Sequence, residues 1–338
     1  MAKQVIIIGG GVAGMSAASA LTEMGFSVCL IEKENQTGGH VRQWDRLFPD
    51  RRESQEVISF LEGKMKDVEV LLHSSVTAIR RNGTFTVTLD NQHELHGDAI
   101  LLATGYQLFD AFKKEEYGYG IYDHVMTSAE LEEMFRLGIK PMFHDRPPRR
   151  VAFIHCVGSR DEKSGNMYCS KACCVTGVKQ AIETKEMFPD AEIFNFYMDL
   201  RMFDRHFEEM YFEAQRDWGI NFIRGRVSEC AENTDGSIVV KVEDTLTARP
   251  LKITVDLVVL LVGMVAPPET NKLVEMLGLS TGDDRFILPS DEHIKANNTA
   301  TEGVFLAGAV KGPACIVNSI ADGQAAAVQI SAYLNSQH

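Results

Sequence analysis

Much that would mark this chain for a familiar role is missing from it. It is poor in basic residues: 34 Lys and Arg stand against 47 Asp and Glu, a formal net charge of −13. A surface of that sign repels a phosphate backbone, which argues against nucleic acid as a partner. The cluster at 146–150 (RPPRR) reads as a solvated linker. The longest apolar run, 257–266, is too short to span a bilayer. The apolar start at 5–8 runs straight into glycines and does not read as a signal peptide, so a cytoplasmic protein is expected. There is no repeat of fixed period and no low-complexity tail. There is no C-x-x-C for dithiol chemistry, no C-x2-4-C hairpin for zinc, and no histidine set at metal-ligand spacing. Seven cysteines, an odd number, argue for a reducing compartment and against a disulfide framework.

What is present is the composition of a soluble globular protein, 45% hydrophobic and 24% charged, long enough for one large or two ordinary domains. Residues 5–8 predict a strand buried on both faces. Gly9, Gly11 and Gly14 follow as G-x-G-x-x-G. A helix over 12–24, a strand over 27–31 and Glu32 at its end complete the pattern. Gly9 permits a tight turn, Gly11 lets the backbone approach a pyrophosphate, and Gly14 lets the helix pack close to the sheet. The helix start at Val12 and Ala13 offers free N–H groups to phosphates. Glu32 is placed to accept from a ribose diol. The motif alone is weak evidence; strand, glycines, helix, strand and acid in this order are much stronger. Further on, 54–64 predicts a helix, 68–72, 76–80 and 84–89 predict strands, and Asn82-Gly83 predicts a hairpin turn.

The stretch from His155 to Cys174, HCVGSRDEKSGNMYCSKACC, holds four of the cysteines at the spacing C-x12-C-x3-C-C. It lies between a predicted strand at 151–154 and a predicted helix at 175–187, the kind of crossover where an α/β fold places its ligand. Four thiolates brought together suit an iron–sulfur cluster. The competing reading is that Cys173 and Cys174 are two small core residues. Cys169 and Cys173, four apart, are expected to share a helix face, with Cys174 beside it. Arg160, Lys171 and Lys179 add positive charge nearby. Cys29, Cys230 and Cys315 have no role readable from the sequence.

Three landmarks resemble flavoproteins of the two-dinucleotide-domain type, the class that includes thioredoxin reductase. These are Gly38-Gly39-His40 after the second strand, Ala103-Thr104-Gly105 after the strand at 99–102, and Gly308 after GVFLA with a helix from Ile316. Most of that class has an Asp after the glycine; this chain has Ala309. The equivalent strand of the second domain, 151–154, is followed by HCVGSRD, so the second glycine motif, which holds NAD(P)H in those relatives, is missing and a cysteine stands in the turn. CVGSRDEKSGNMYCSKACC followed by Lys179-Gln180-Ala181, YGYG (117–120), FIRGR (222–226) and GVFLAG resemble the A-type subunits of the heterodisulfide reductases over nearly the whole chain. The chain has none of the ferredoxin-type runs of the long members and is similar to the short form of bacterial heterodisulfide-reductase-like complexes, notably those of sulfur oxidation.

The resemblance implies an α/β fold with parallel Rossmann-type sheets, in which the second domain carries an iron–sulfur cluster in place of NAD(P)H. The FAD domain is expected at 1–122 plus 267–338 and the inserted domain at 123–266. FAD contacts are implied for Gly9, Gly11, Val12, Ala13, Gly14, Glu32 and Lys33, for Gly39, His40 and Val76, and for Ala103, Thr104, Gly105, Gly308, Ala309 and Ile316. Cys156, Cys169, Cys173 and Cys174 are implied to ligate a [4Fe–4S] cluster. Lys179 is the candidate for a cation near the flavin edge, against the plainer expectation of a solvent-facing helix lysine. The implied function is electron transfer between FAD and the cluster, with one exit for electrons and therefore no splitting of electron pairs within the chain. Implied partners are the B- and C-like iron–sulfur subunits and a second copy of the chain. The rival classes are an NAD(P)H-dependent disulfide reductase and a non-redox flavin or zinc scaffold.

Overall fold

The computed structural model describes residues 3–337. Among those residues are seven α-helices: α1 (Val12–Glu23), α2 (Ser54–Lys64), α3 (Ser128–Arg136), α4 (Cys173–Met187), α5 (Phe207–Arg216), α6 (Thr270–Leu277) and α7 (Ile316–Ser336). None is long and apolar enough to cross a membrane. The chain divides into two compact units. The first takes 3–42, 54–107 and 265–337; the second takes Gln43–Glu53 and Leu108–Met264.

The first unit is built on a five-stranded parallel sheet in the order Val304–Leu306, Ala99–Leu102, Gln4–Ile8, Ser27–Ile31, Glu69–Leu71. Its strands are continuous apolar runs because both faces are covered; Ile6, Ile7, Ile100 and Leu101 have no exposed surface. α1 and α7 pack closely because Gly323 sits where a side chain would meet the Ala13 carbonyl at 2.3 Å. A three-stranded antiparallel sheet (Val76–Asn82, Thr84–Leu89, Glu94–Gly97) adds Ile79, Phe85, Val87 and Leu89 to the core that holds Ile8, Leu102 and Leu277. The hairpin turns at Gly83, φ +77°.

The second unit repeats the plan. Its parallel sheet runs Val125–Thr127, Leu257–Val262, Arg150–Val157, Glu192–Tyr197, Asn221–Arg224. In both sheets the third strand leads into a helix that starts with free N–H groups: Gln4–Ile8 into α1, Arg150–Val157 into α4. The helices α4 and α5 and the sheet enclose Val151, Phe153, Val178, Ile182, Met210 and Val259. A second antiparallel sheet is formed by Val227–Glu232, Ile238–Asp244 and Arg249–Val255.

The unit boundaries differ from 122/123 and 266/267. Residues 108–122 belong to the second unit, tied by Phe109 N–H to the Gly263 carbonyl (2.8 Å), Tyr117 Oη–H to the Val227 carbonyl (3.3 Å) and Lys114 to Asp161 (2.8 Å). So does 43–53, through Phe48 edge-on to Phe207 (5.4 Å between centroids) and the ion pairs Arg46–Glu186 (3.0 Å) and Arg51–Glu213 (3.1 Å). These ties are long-range in sequence and leave no local pattern.

Candidate functional site

In the first unit the glycine turn forms a cradle. Gly9 takes φ +111°, and a Cβ there would lie 2.4 Å from the Ala103 carbonyl oxygen. A Cβ on Gly14 would lie 2.0 Å from the Gly9 carbonyl oxygen, so only glycine lets α1 start this close to the strand. Over Gly11 there is open space: nothing comes within 4 Å of where its Cβ would be. α1 starts at Val12 and Ala13 with no side-chain cap and no acid in its first turn, leaving N–H groups for an anion. Gly39, φ +54°, closes on Gly11, and Gly38 N–H donates to the Gly10 carbonyl (2.8 Å).

The other implied contacts gather in the same unit. Glu32 is 7% exposed and accepts from Gly10 N–H (2.7 Å) and Glu34 N–H (2.9 Å), which fixes the carboxylate against the turn. Thr104 Oγ1 is buried with no hydrogen-bond partner, an orphan polar atom awaiting one. The His40 ring stacks on Tyr106 at 4.5 Å, and burial lowers its pKa. Tyr106, directly after Gly105, was not foreseen; burial, and then the neighbouring Cys315, push its phenol up. α7 starts at Ile316 without a side-chain cap or first-turn acid, a second free N-terminus. Ala309 is buried in the turn before it. Within α7, Asp322 reaches back to the same turn and accepts from Gly308 N–H (2.7 Å), Lys311 (2.8 Å) and Asn297 (2.8 Å). Lys33 is exposed, and Val76 is half-buried at the start of its strand. An open glycine, two uncapped helix starts, a fixed carboxylate and an orphan hydroxyl fit a dinucleotide.

In the second unit Cys156, Cys173 and Cys174 come together at the start of α4. Cys156 lies inside its strand, not in the following loop, at φ +59° and at an irregularity in the pairing with Leu257–Val262. Arg160 (φ +51°) and Lys171 (φ +57°) are likewise left-handed. Three left-handed non-glycine residues, one at the end of the strand and two in the loop after it, mark backbone held in place by its surroundings. The helix begins at Cys173, so Cys169 and Cys173 do not share a helix face. The turn at Lys171 and the bond from Met264 N–H to Ser170 Oγ (2.9 Å) hold the preceding loop out of the helix.

The Cys156, Cys173 and Cys174 thiols interact in a row, with Cys173 in the middle. The contact with Cys173 draws Cys156 down to about 7 and Cys174 down to about 4, with His155 adding to both, while Cys173 itself is pushed well above the usual thiol range. Burial works to lower the His155 pKa, and Cys174 beside it more than offsets this. His155 is fixed by Asn195 Oδ1 at 2.8 Å. Cys174 Sγ lies 3.5 Å from the Asp199 carbonyl oxygen. Cys169 is half-exposed and accepts from Lys171 N–H (3.3 Å); Arg160 carries its charge beside both Cys156 and Cys169 and pairs with Asp199 at 2.7 Å. Among the described residues no three His, Cys, Asp or Glu side chains are grouped to hold a metal ion. The donor set, three buried thiols at an uncapped helix start with an Arg beside them, has the chemistry an anionic iron–sulfur cluster needs. Cys29 and Cys230 are core thiols, each pushed by burial to about 12.

Lys179 is not a solvent-facing helix lysine. It is 2% exposed, inside the second unit, bonded to Glu132 and to the Arg46 carbonyl (2.7 Å), with Glu183 at 3.3 Å. Its carboxylate partners were not foreseen; Glu183 lies at i+4 of Lys179, a readable signal, while Glu132 is on another helix.

The chain matches the family model described as pyridine nucleotide-disulphide oxidoreductase over 3–131 and 174–327. The stretch left out, 132–173, contains Cys156, Cys169 and Cys173. It is 32% identical to the A-type subunit of the H(2):CoB-CoM heterodisulfide,ferredoxin reductase of Methanothermobacter thermautotrophicus, covering 96% of this chain and 63% of that protein. It is also 32% identical to an A-type iron-sulfur subunit of the CoB--CoM heterodisulfide reductase of Methanopyrus kandleri, covering 98% of this chain and 64% of that one. The chain is thus homologous to the A-type subunits of archaeal heterodisulfide reductases and spans less of them than they of it. In fold it is similar to the thioredoxin reductases of T. acidophilum (TM-score 0.69, 18% identity, 99% of this chain and 100% of that one) and Lactococcus lactis (TM-score 0.66, 20% identity, 99% of each).

Proposed function

The chain belongs to the pyridine nucleotide-disulphide oxidoreductase family, and on that footing we propose that it is an electron-transfer subunit using FAD and a [4Fe–4S] cluster. The observation that carries this reading is the contrast between two equivalent turns. In the first unit, strand and helix are joined by a glycine cradle; in the second, the same place holds Cys156, a long loop, and Cys173–Cys174 at the helix start. FAD accepts an electron pair and a cluster accepts single electrons, so together they convert one currency into the other. Gly9, Gly11, Gly14, Val12, Ala13, Glu32 and Thr104 would hold the dinucleotide, with Lys33, Gly39, His40, Val76, Ala103, Gly105, Gly308, Ala309 and Ile316 around it. Cys156, Cys169, Cys173 and Cys174 would hold the cluster, which requires their side chains to turn toward a common point. The relatives support a place in a heterodisulfide-reductase-like complex acting on sulfur compounds, with B- and C-like iron–sulfur subunits and a second copy of the chain as partners. The chain would pass electrons on without splitting pairs, in the manner of the short bacterial forms.

Anaerobically purified protein is expected to contain flavin and iron. Changing any of the four cysteines to Ala should remove most of the iron and leave the flavin, because the glycine cradle lies in the other unit. Four variants that keep full iron would overturn the ligand set. NADH or NADPH should not bleach the flavin in stopped-flow absorbance; rapid bleaching would instead establish an NAD(P)H-dependent reductase.

A further inference from the structure

Lys179, Glu132 and Glu183 place one cation between two carboxyl groups, with side chains 2%, 4% and 5% exposed. The two acids are treated very differently. Glu132, on α3, accepts from Lys179, from Gln180 Nε2 (2.7 Å), and from the Asp45 and Arg46 N–H groups (3.1 and 3.3 Å). That is the full set of donors a carboxylate takes. Glu183, on α4, has Lys179 Nζ 3.3 Å from its Oε2, but neither of its oxygens accepts a well-directed hydrogen bond. The remaining charges nearby are already engaged: Arg46 pairs with Glu186 at 3.0 Å, and Arg51 lies between Glu186 (3.9 Å) and Glu213 (3.1 Å). One ammonium cannot serve both acids, and a buried carboxylate without donors is far costlier than a buried carboxylic acid.

We infer that Glu183 is a buried proton-binding site, a neutral carboxylic acid at physiological pH from which one proton can be drawn. Burial first, and Glu132 in addition, push its pKa up to about 8, against the pull of Lys179 and the weaker pull of Arg46. On release the O–H bond of Glu183 breaks and the proton goes to a solvent base. The carboxylate left behind pairs with the Lys179 ammonium, so the cluster passes from one cation and one anion to one cation and two anions. An oxidoreductase that moves electron pairs on an organic cofactor must move protons as well. That use of Glu183 rests on the electron-transfer reading; the site itself does not.

The test is infrared spectroscopy of the full chain together with urea unfolding from pH 5 to 9, on wild type and Glu183→Gln. A protonated-carboxyl band is expected at pH 7, fading with a midpoint near 8, absent in E183Q and retained in Asp45→Asn. Because the unfolded chain releases this proton near pH 4.3 and the folded chain near 8, the group makes the folded-to-unfolded ratio fall up to about tenfold per pH unit between those values. E183Q should lose that component and be at least as stable as wild type at pH 7. The inference is overturned if wild type shows no such band at pH 7, or if E183Q is less stable there and the difference does not change with pH, the behaviour of an ordinary ion pair. If E183Q does not fold, the wild-type band and its midpoint decide. Flavin and iron are assayed on the same anaerobically purified protein, so a preparation that shows the band but contains neither would sink the electron-transfer reading and leave this one standing.

Discussion

Gly177 sets how closely α4 lies against its sheet. A Cβ there would come within 2.5 Å of Leu261 Cδ1 and 2.8 Å of the His155 ring, and that ring is anchored by Asn195. Gly177→Ala should therefore cost about 1–3 kcal/mol in urea unfolding, the penalty of overpacking a core. Gly63, in α2, has nothing within 4 Å of its Cβ position, and Gly63→Ala should gain up to about 1 kcal/mol. Equal effects at the two sites would show that space is not what decides them. At this scale the glycine turn was legible in the sequence because Gly9, Gly11, Gly14 and Glu32 act through a local strand–turn–helix. Lys179 was not, because its burial is decided by Glu132, forty-seven positions away. Asp322 was missed for the same reason: it reaches back from α7 to Gly308.

Elements are legible where hydrophobic pattern and turn residues agree. Ser54–Lys64, Thr84–Leu89 and Ala99–Leu102 have the expected bounds. α7 starts at Ile316 as expected and runs to Ser336, because QISAYLNS still turns Ile330 and Leu334 inward. α4 starts at Cys173, two residues before the apolar pattern that marked it, because the interacting thiols stand on its first turn. α3 starts with a capping box: Glu130 N–H donates to Thr127 Oγ1 (3.2 Å), and Thr127 N–H donates to Glu130 Oε2 (2.7 Å). Thr127→Ala should cost about 0.5–2 kcal/mol. Since α3 carries Glu132, the substitution should also loosen the hold on Lys179, seen as faster amide exchange across that helix. Unchanged stability and exchange would mean the cap is not what fixes α3.

For the whole molecule, the fold class was legible and the course of the chain between units was not, since 43–53 and 108–122 are held by contacts distant in sequence. One such contact has a pH signature. Burial works to raise Asp161, but Lys114 and Ser164, with Arg226 at 2.8 Å, hold it down at about 2. A depressed carboxyl lends stability that is complete above its unfolded pKa near 3.9 and is lost as pH falls toward 2. Asp161→Asn should therefore lower stability by roughly 2 kcal/mol or more at pH 7, and the deficit should shrink as the pH is brought below 4. A deficit constant with pH would show that only hydrogen-bond geometry was lost.

The order of strands in the first unit has a consequence for the chain's birth. Its sheet places Val304–Leu306 beside Ala99–Leu102, and its first helix packs on α7. Every residue of the second unit has left the ribosome before those closing pieces are made. The second unit can thus finish folding while the first is still half a domain, its cradle lacking Gly308 and the start of α7. The glycine turn after Gln4–Ile8 is thus made early, but the sheet that holds it is closed only after the thiol-bearing unit has been synthesised.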